Sequence, residues 1–263
     1  MATILDEIVK RKEADIASKE KEIPLSFLQE EAFKAGDARG FVRNLLKTAQ
    51  IHPAIIAEVK RGSPSLGYIR PDLDPVVITS QYEKGGASAI SCLTDEPYFY
   101  AHPDDFARVR ASIKLPMLRK DFMVCPYQIF ESKAMGADCI LLIMSCLTDQ
   151  KAAELADLAH DLGMDVFAEA HNAEEIQRIE DHVNYDLLGI NNRNLKNFST
   201  NVEHCIQLAD RVSKRDRLVA ESGLHDAAVI KRLFEANIRM FLIGEAFVTS
   251  DDPQQKVNEF YNA

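Results

Sequence analysis

Five charged residues stand at the ends of short apolar runs, where ionised groups are costly unless they pair or serve a ligand. Glu58 and Lys60 follow Pro53-Ala54-Ile55-Ile56-Ala57, and Lys120 closes the run that begins Pro116-Met117-Leu118. Glu169 follows Val166-Phe167-Ala168, and Glu221 follows Leu218-Val219-Ala220. Alternation along a strand puts Glu58 and Lys60 on one face, with Ala57 and Val59 on the other. A lysine withdrawn from water has its pKa lowered and a buried glutamate has its pKa raised. The set therefore suits general acid–base chemistry near neutral pH. Each residue also has a plainer reading: a lysine at a strand end can be merely solvated, and Glu58 and Glu221 can simply neutralise Lys60 and Lys120. The coincidence of polar groups at so many run ends favours chemistry.

A second group of residues suits an anion. Ser222-Gly223 and Gly244-Glu245 are small, glycine-containing turns that follow apolar runs and lead into helix starts. Backbone N–H groups and helix dipoles at such turns form phosphate cradles, and glycine permits the close approach, although it also occurs there for steric reasons. Gly189-Ile190-Asn191-Asn192-Arg193-Asn194-Leu195 adds amides and one cation. Its asparagines are also natural turn formers. Lysines and glutamates around a phosphate cradle point to acid–base chemistry on a sugar phosphate. The seven histidines are scattered, with no metal-ligand spacing. His171, just after Glu169, reads as structural rather than as a ligand.

The elements that must position these residues alternate regularly. Strand-like runs occupy Ala54–Lys60, Ala89–Leu93, Pro116–Lys120, Cys139–Met144, Asp165–Glu169, Leu187–Asn191, Leu218–Glu221 and Met240–Gly244. Helical patterns lie between them: Thr148–Leu162 carries an apolar stripe ended by Gly163, and Asn172-Ala173-Glu174-Glu175 and Thr200-Asn201-Val202-Glu203 have the form of capping boxes. Eight such pairs make a single (β/α)8 TIM barrel of the α/β class, spanning residues 1–263. A doubly wound sheet is disfavoured because G-x-G-x-x-G is missing after the first strand. Residues 1–48 form an N-terminal helical extension, with helices near 4–22, 26–35 and 41–48, read as packing on the barrel rather than as a lid. Gly62–Gly67 reads as a long loop whose glycines permit movement over a ligand.

Composition narrows the class of partner. The chain has 263 residues, a net charge of −10 and 46% apolar residues. That balance argues against nucleic acid and acidic membranes as general partners. No uncharged apolar run is long enough to span a membrane, and the first residues lack a secretory signal, so a cytoplasmic protein is expected. The five cysteines have no C-x-x-C spacing and read as reduced, buried thiols. The short segment after the eighth strand leaves no room for a fused second enzyme.

Taken in order, these segments resemble the indole-3-glycerol phosphate synthase family. The resemblance rests on Ile56-Ala57-Glu58-Val59-Lys60-Arg61-Gly62-Ser63-Pro64-Ser65, Leu118-Arg119-Lys120-Asp121-Phe122, Ala168-Glu169-Ala170-His171, Gly189 to Leu195, Glu221-Ser222-Gly223 and Leu242-Ile243-Gly244-Glu245. It implies ring closure of 1-(2-carboxyphenylamino)-1-deoxyribulose 5-phosphate with loss of CO2 and water, needing no metal or organic cofactor. By the same resemblance Lys120 is the acid at the carbonyl oxygen, and Lys60 meets the substrate carboxylate and serves as an acid in the dehydration. Glu169 is the base or proton shuttle, and Glu58 and Asn191 orient the lysines and hydroxyls. Glu221 and Ser222 line the mouth. Ser63, Arg193, Gly223, Gly244 and Glu245 form the phosphate end, while Phe122 and Leu195 wall the aromatic ring. A carboxylate beside a phosphate repels it, so the backbone N–H of Glu245 is expected to bind while its side chain turns away. The alternatives are a related phosphate-binding barrel, such as phosphoribosylanthranilate isomerase with a Cys/Asp pair, and a non-catalytic phosphate-binding barrel. Family barrels are often monomeric, and a monomer is expected here.

Overall fold

Parallel strands require a crossover between every pair, and helices between the apolar runs supply it. A computed structural model of the chain describes residues 4–64, 66–194 and 199–263. Its strands are β1 Ala54–Val59, β2 Ala89–Leu93, β3 Met117–Lys120, β4 Cys139–Ile143, β5 Asp165–Ala170, β6 Leu187–Asn191, β7 Leu218–Glu221 and β8 Met240–Ile243. They pair in sequence order, all parallel, and β1 pairs with both β2 and β8 to close the barrel. The expected ends shift by a residue in places. Lys60 and Gly244 fall just past their strands, Met144 opens a 3-10 turn, and Pro116, which has no N–H to give, only accepts from Ile90.

The period of two explains what the barrel contains. Ala54 and Ile56, Leu118, Leu141 and Ile143, Phe167, Leu187, Val219, and Met240 and Leu242 pack together inside. Their alternating neighbours, such as Ile55, Ala57, Ile140, Val166, Leu188 and Phe241, pack outward against the helices. Complete burial of a large apolar side chain stabilises by about 1.5–3 kcal/mol. Carried one step further along each strand, the inward positions become Glu58, Lys120, Glu169, Asn191 and Glu221. The charged layer sits on top of the apolar layers, at the carboxyl ends.

The extension touches both ends of the barrel. Its helices are α1 Ile4–Glu22, α2 Leu25–Lys34 and α3 Phe41–Ala49. Phe41 and Leu45 of α3 join the apolar interior, and Val42 N donates to Asp165 Oδ2 (2.9 Å) at the start of β5, so α3 closes the amino-end face. Leu28 of α2 packs with Ile16 and Tyr127 on the outer side. Helix α1 crosses the opposite rim. Lys12 Nζ lies between Asp95 Oδ2 (2.7 Å) and Asp121 Oδ1 (2.8 Å), carboxylates that follow β2 and β3. Lys12 and Arg119 hold the Asp121 carboxyl at a pKa of about 2 against its burial. Ile4, Leu5 and Ile8 of α1 line the cavity at this rim, a contribution beyond packing.

Gly62–Ser63 pairs antiparallel with Gly67–Tyr68, so the loop after β1 is a small hairpin. Tyr68 stacks on Tyr100 with ring centroids 3.9 Å apart. Gly67, at φ 64°, takes the left-handed conformation that glycine adopts readily.

Candidate active site

The cavity at the carboxyl ends gathers residues from seven of the eight strand ends. Glu58, Lys60 and Ser63 line it from β1 and its loop, Lys120 and Phe122 from β3, Ile143 from β4 and Glu169 from β5. Asn191 and Arg193 line it from β6, Glu221, Ser222 and Gly223 from β7, and Gly244 and Glu245 from β8. Of the residues singled out from sequence, only Leu195 is missing from this list, because it lies outside the described residues.

Two ion pairs face into the cavity. Lys60 Nζ is 2.9 Å from Glu58 Oε1, and Lys120 Nζ is 3.7 Å from Glu169 Oε2. Glu169 Oε1 accepts from Asn191 Nδ2 at 2.8 Å, whereas Oε2 is buried and accepts no hydrogen bond from the described residues. Arg119, by contrast, points out of the barrel. Its guanidinium donates to Asp121 (3.1 Å) and Glu131 (2.6 Å), anchoring β3 to the helix that follows.

The environment separates the titrations of these groups. Burial works against the charge on Lys120, but the Glu169 and Glu58 carboxylates outweigh it and its pKa is raised. The expectation of a lysine with lowered pKa is thus reversed: Lys120 is a cation that can donate a proton. Glu169 is pushed up by burial yet held well below the usual carboxylate range by Lys120, then by His171 and Asn191. Glu221 goes the other way. Burial, with the charges of Glu169 and Glu58, raises its carboxyl well above 4.5. Two glutamates shifted in opposite directions can divide base and acid roles.

Glu221 has a consequence for stability. Above pH 4.5 the unfolded chain releases the proton that the folded chain keeps, so this group opposes folding increasingly as pH rises. Glu221→Gln should therefore raise Tm at pH 7, by about 2–4 °C for each kcal/mol recovered. The gain should shrink toward pH 4. Melting curves at the two pH values test this, and an equal or lower Tm at pH 7 would contradict it.

Two inward glycines make the charged layer fit. A Cβ on Gly189 would overlap Glu221 Oε1 and stand 2.6 Å from the Phe167 ring. A Cβ on Gly244 would stand 2.5 Å from Glu58 Oε1. At the rim, Ser222 (φ 64°) and Gly223 (φ 74°) are both left-handed, and Asn192 Nδ2 donates to the Ser222 carbonyl at 3.2 Å. The Glu245 carboxylate is 3.5 Å from Arg193 Nη2.

Three contributions escaped the sequence reading. The apolar wall from α1 depends on a long-range contact that no local pattern announces. Gly189 is a glycine inside a strand, a known mark of close approach. His171, read as structural, lines the cavity, and alternation carried two residues past Glu169 would have turned it inward.

The family model for indole-3-glycerol phosphate synthase matches residues 5–260. The chain belongs to this family. It is 46% identical over 253 residues to the indole-3-glycerol phosphate synthase of Rhodospirillum rubrum, covering 96% of each chain. The counterpart from Azospirillum brasilense is 44% identical over 253 residues, again 96% of each. In fold, the chain is similar to the tryptophan synthase alpha subunit of Legionella pneumophila, with a TM-score of 0.59 and 16% identity over 85% of this chain and 95% of that one. That likeness supports the barrel alone. Indole-3-glycerol phosphate synthases are decarboxylating lyases of tryptophan biosynthesis, and the chain is an enzyme of this kind.

Proposed function

We propose that the cavity closes the indole ring of 1-(2-carboxyphenylamino)-1-deoxyribulose 5-phosphate, releasing CO2 and water to give indole-3-glycerol phosphate. The observation that carries this reading is the Lys120–Glu169 pair, whose Oε2 accepts no hydrogen bond from the described residues, facing the same cavity as the Lys60–Glu58 pair. Lys120 protonates the ketone oxygen as the aromatic carbon attacks. Lys60 faces the carboxylate, whose loss as CO2 returns an electron pair to the ring. Lys60 then protonates the leaving hydroxyl, and Glu169 Oε2 takes the proton from the carbon beside nitrogen, completing the loss of water. Glu58 orients Lys60, Asn191 orients Glu169, and Glu221 and Ser222 hydrogen-bond the sugar hydroxyls. Phe122, with Leu195, walls the ring.

At the other end, Ser63, Gly223, Gly244 and the backbone of Glu245 receive the phosphate, which replaces the Glu245 carboxylate at Arg193. No cofactor enters this sequence of steps. The chain is proposed to act as a monomer. Residues 1–48 belong to the one barrel domain, since α1 and α3 share the interior core. The five thiols are free and no described helix is long and apolar enough to cross a membrane, in keeping with a cytoplasmic site.

Mixing enzyme with this substrate should produce indole fluorescence and one CO2 per turnover. An isomerase would yield neither, and binding without product would mark a non-catalytic barrel. Cys92 and Cys139, the thiols nearest an isomerase pattern, are packed in the cores and do not line the cavity.

A further inference from the structure

Glu169 handles a proton well only if it is ionised and its free oxygen is aimed at the substrate, and one neighbour addresses both needs. The His171 imidazole lies between two carboxylates. Its Nε2 is 3.2 Å from Glu169 Oε1, and its Nδ1 is 3.3 Å from Glu175 Oε2. The approach to Glu169 is an ion-pair contact rather than an aligned hydrogen bond, and Oε1 accepts from Asn191 as well.

The imidazole is itself held from several sides. Glu175 Oε2 also accepts from the His171 backbone N at 2.8 Å, and Asn172 Nδ2 donates to Glu175 Oε1 at 2.9 Å. Asn172 Oδ1 in turn caps the helix by accepting from Glu175 N at 2.9 Å. From the helix Glu203–Leu208 that follows β6, His204 Nε2 donates to the His171 carbonyl at 2.8 Å. The capping box noted in the sequence thus also orients a histidine toward the cavity.

We propose that His171 is a positioning residue for the reaction: as an imidazolium clamped by Glu175, it holds the Glu169 carboxylate ionised and turned so that Oε2 faces Lys120 and the substrate. This deepens the proposed function and rests on its assignment of Glu169. The titratable groups around the pair are consistent with it. Lys120 from β3 is a cation, Cys146 from the turn after β4 is neutral with a pKa pushed up to about 12 by burial, and Glu221 from β7 has its carboxyl pushed well above the usual range by burial. Burial opposes the charge on His171, but Glu169 and Glu175 raise its pKa to about 10. Lys120 alone would not orient Glu169, because it pairs with the oxygen that must react. His171 and Asn191 occupy the other one.

The test is His171→Asn, which removes the charge and keeps a donor. Its kcat should fall about tenfold with KM within about twofold, and the acid limb of kcat should move up by about one pH unit as Glu169 loses a cation. A lower Tm with unchanged kcat and pH profile would show a merely structural residue and overturn the proposal. Imidazole NMR of the unmodified enzyme is the second measurement: His171 should remain protonated at pH 8, and a neutral ring there would overturn the proposal even if the variant failed to fold. Glu169→Gln separates the two levels. Full turnover by that variant would remove the assignment of Glu169 and this inference with it. A dead Glu169→Gln beside a fully active His171→Asn would remove only the role of His171.

Discussion

A Lys120→Met enzyme should bind substrate and make almost no indole. The substitution keeps an unbranched chain of similar length, so the apolar layers below, from Leu118 to Phe167 and Val219, are untouched. It removes two things from the chemistry. The first is the acid at the ketone oxygen, a contribution of about 10²–10⁴ in rate. The second is the cation that does most to keep Glu169 ionised. The effects compound, and kcat should fall by at least about 10³. His171 and Asn191 still compensate the Glu169 carboxylate, so the fold should survive with a Tm within a few degrees of the parent. Single-turnover indole fluorescence together with a melting curve measures both. Turnover within tenfold of the parent would dismiss Lys120 as the acid.

Gly189→Ala should damage stability and catalysis together, although it adds one methyl group to a strand. The new Cβ has no direction in which to yield. It projects into the barrel between the Glu221 carboxyl and the Phe167 ring, both at most 2% exposed. Relief requires moving a fully packed ring or driving Glu221 toward Glu169, or else shifting β6 itself. Overpacking of this kind costs about 1–3 kcal/mol, which is several degrees of Tm in a chain of this size. Displacing Glu221 also changes the field at Glu169, so kcat should drop by about 10²; a misplacement of 1 Å has that order of cost. Comparing Tm and kcat with the parent decides the matter. An alanine enzyme that melts and turns over normally would mean that the inward position is roomier than the geometry requires.

Much of this was legible because strand alternation is a local property. From Ala54-Ile55-Ile56-Ala57-Glu58 alone, Glu58 must share a face with Ile56, and the same count places Lys120 above Leu118 and Glu169 above Phe167. Eight repetitions of strand and helix then leave few closed arrangements, so both the barrel and its polar rim follow. The loop after β1 was less legible. Its glycines permit mobility, but the stack of Tyr68 on Tyr100 is made between residues more than thirty positions apart. Arg119 and Lys120 show the limit from the other side: adjacent cations in one motif point to opposite faces, one tying helix to strand and the other facing the cavity.

The sequence by itself determined the barrel, the carboxyl-end rim and the lysines and glutamates that line it, because each depends on spacing along one segment. The tertiary structure decided how those residues are charged and what covers them. Lys120 is raised rather than lowered because Glu169 and Glu58 reach it from other strands. Glu169 and Glu221, alike in sequence setting, shift in opposite directions because Lys120, His171 and Asn191 outweigh burial at the first, while burial with the charges of Glu169 and Glu58 prevails at the second. Helix α1 becomes a wall of the cavity through Lys12, held by the carboxylates after β2 and β3, and through Ile8 in the interior core. Electrostatic energy depends on distance in space, and only the closed barrel brings these distant segments within a few ångströms.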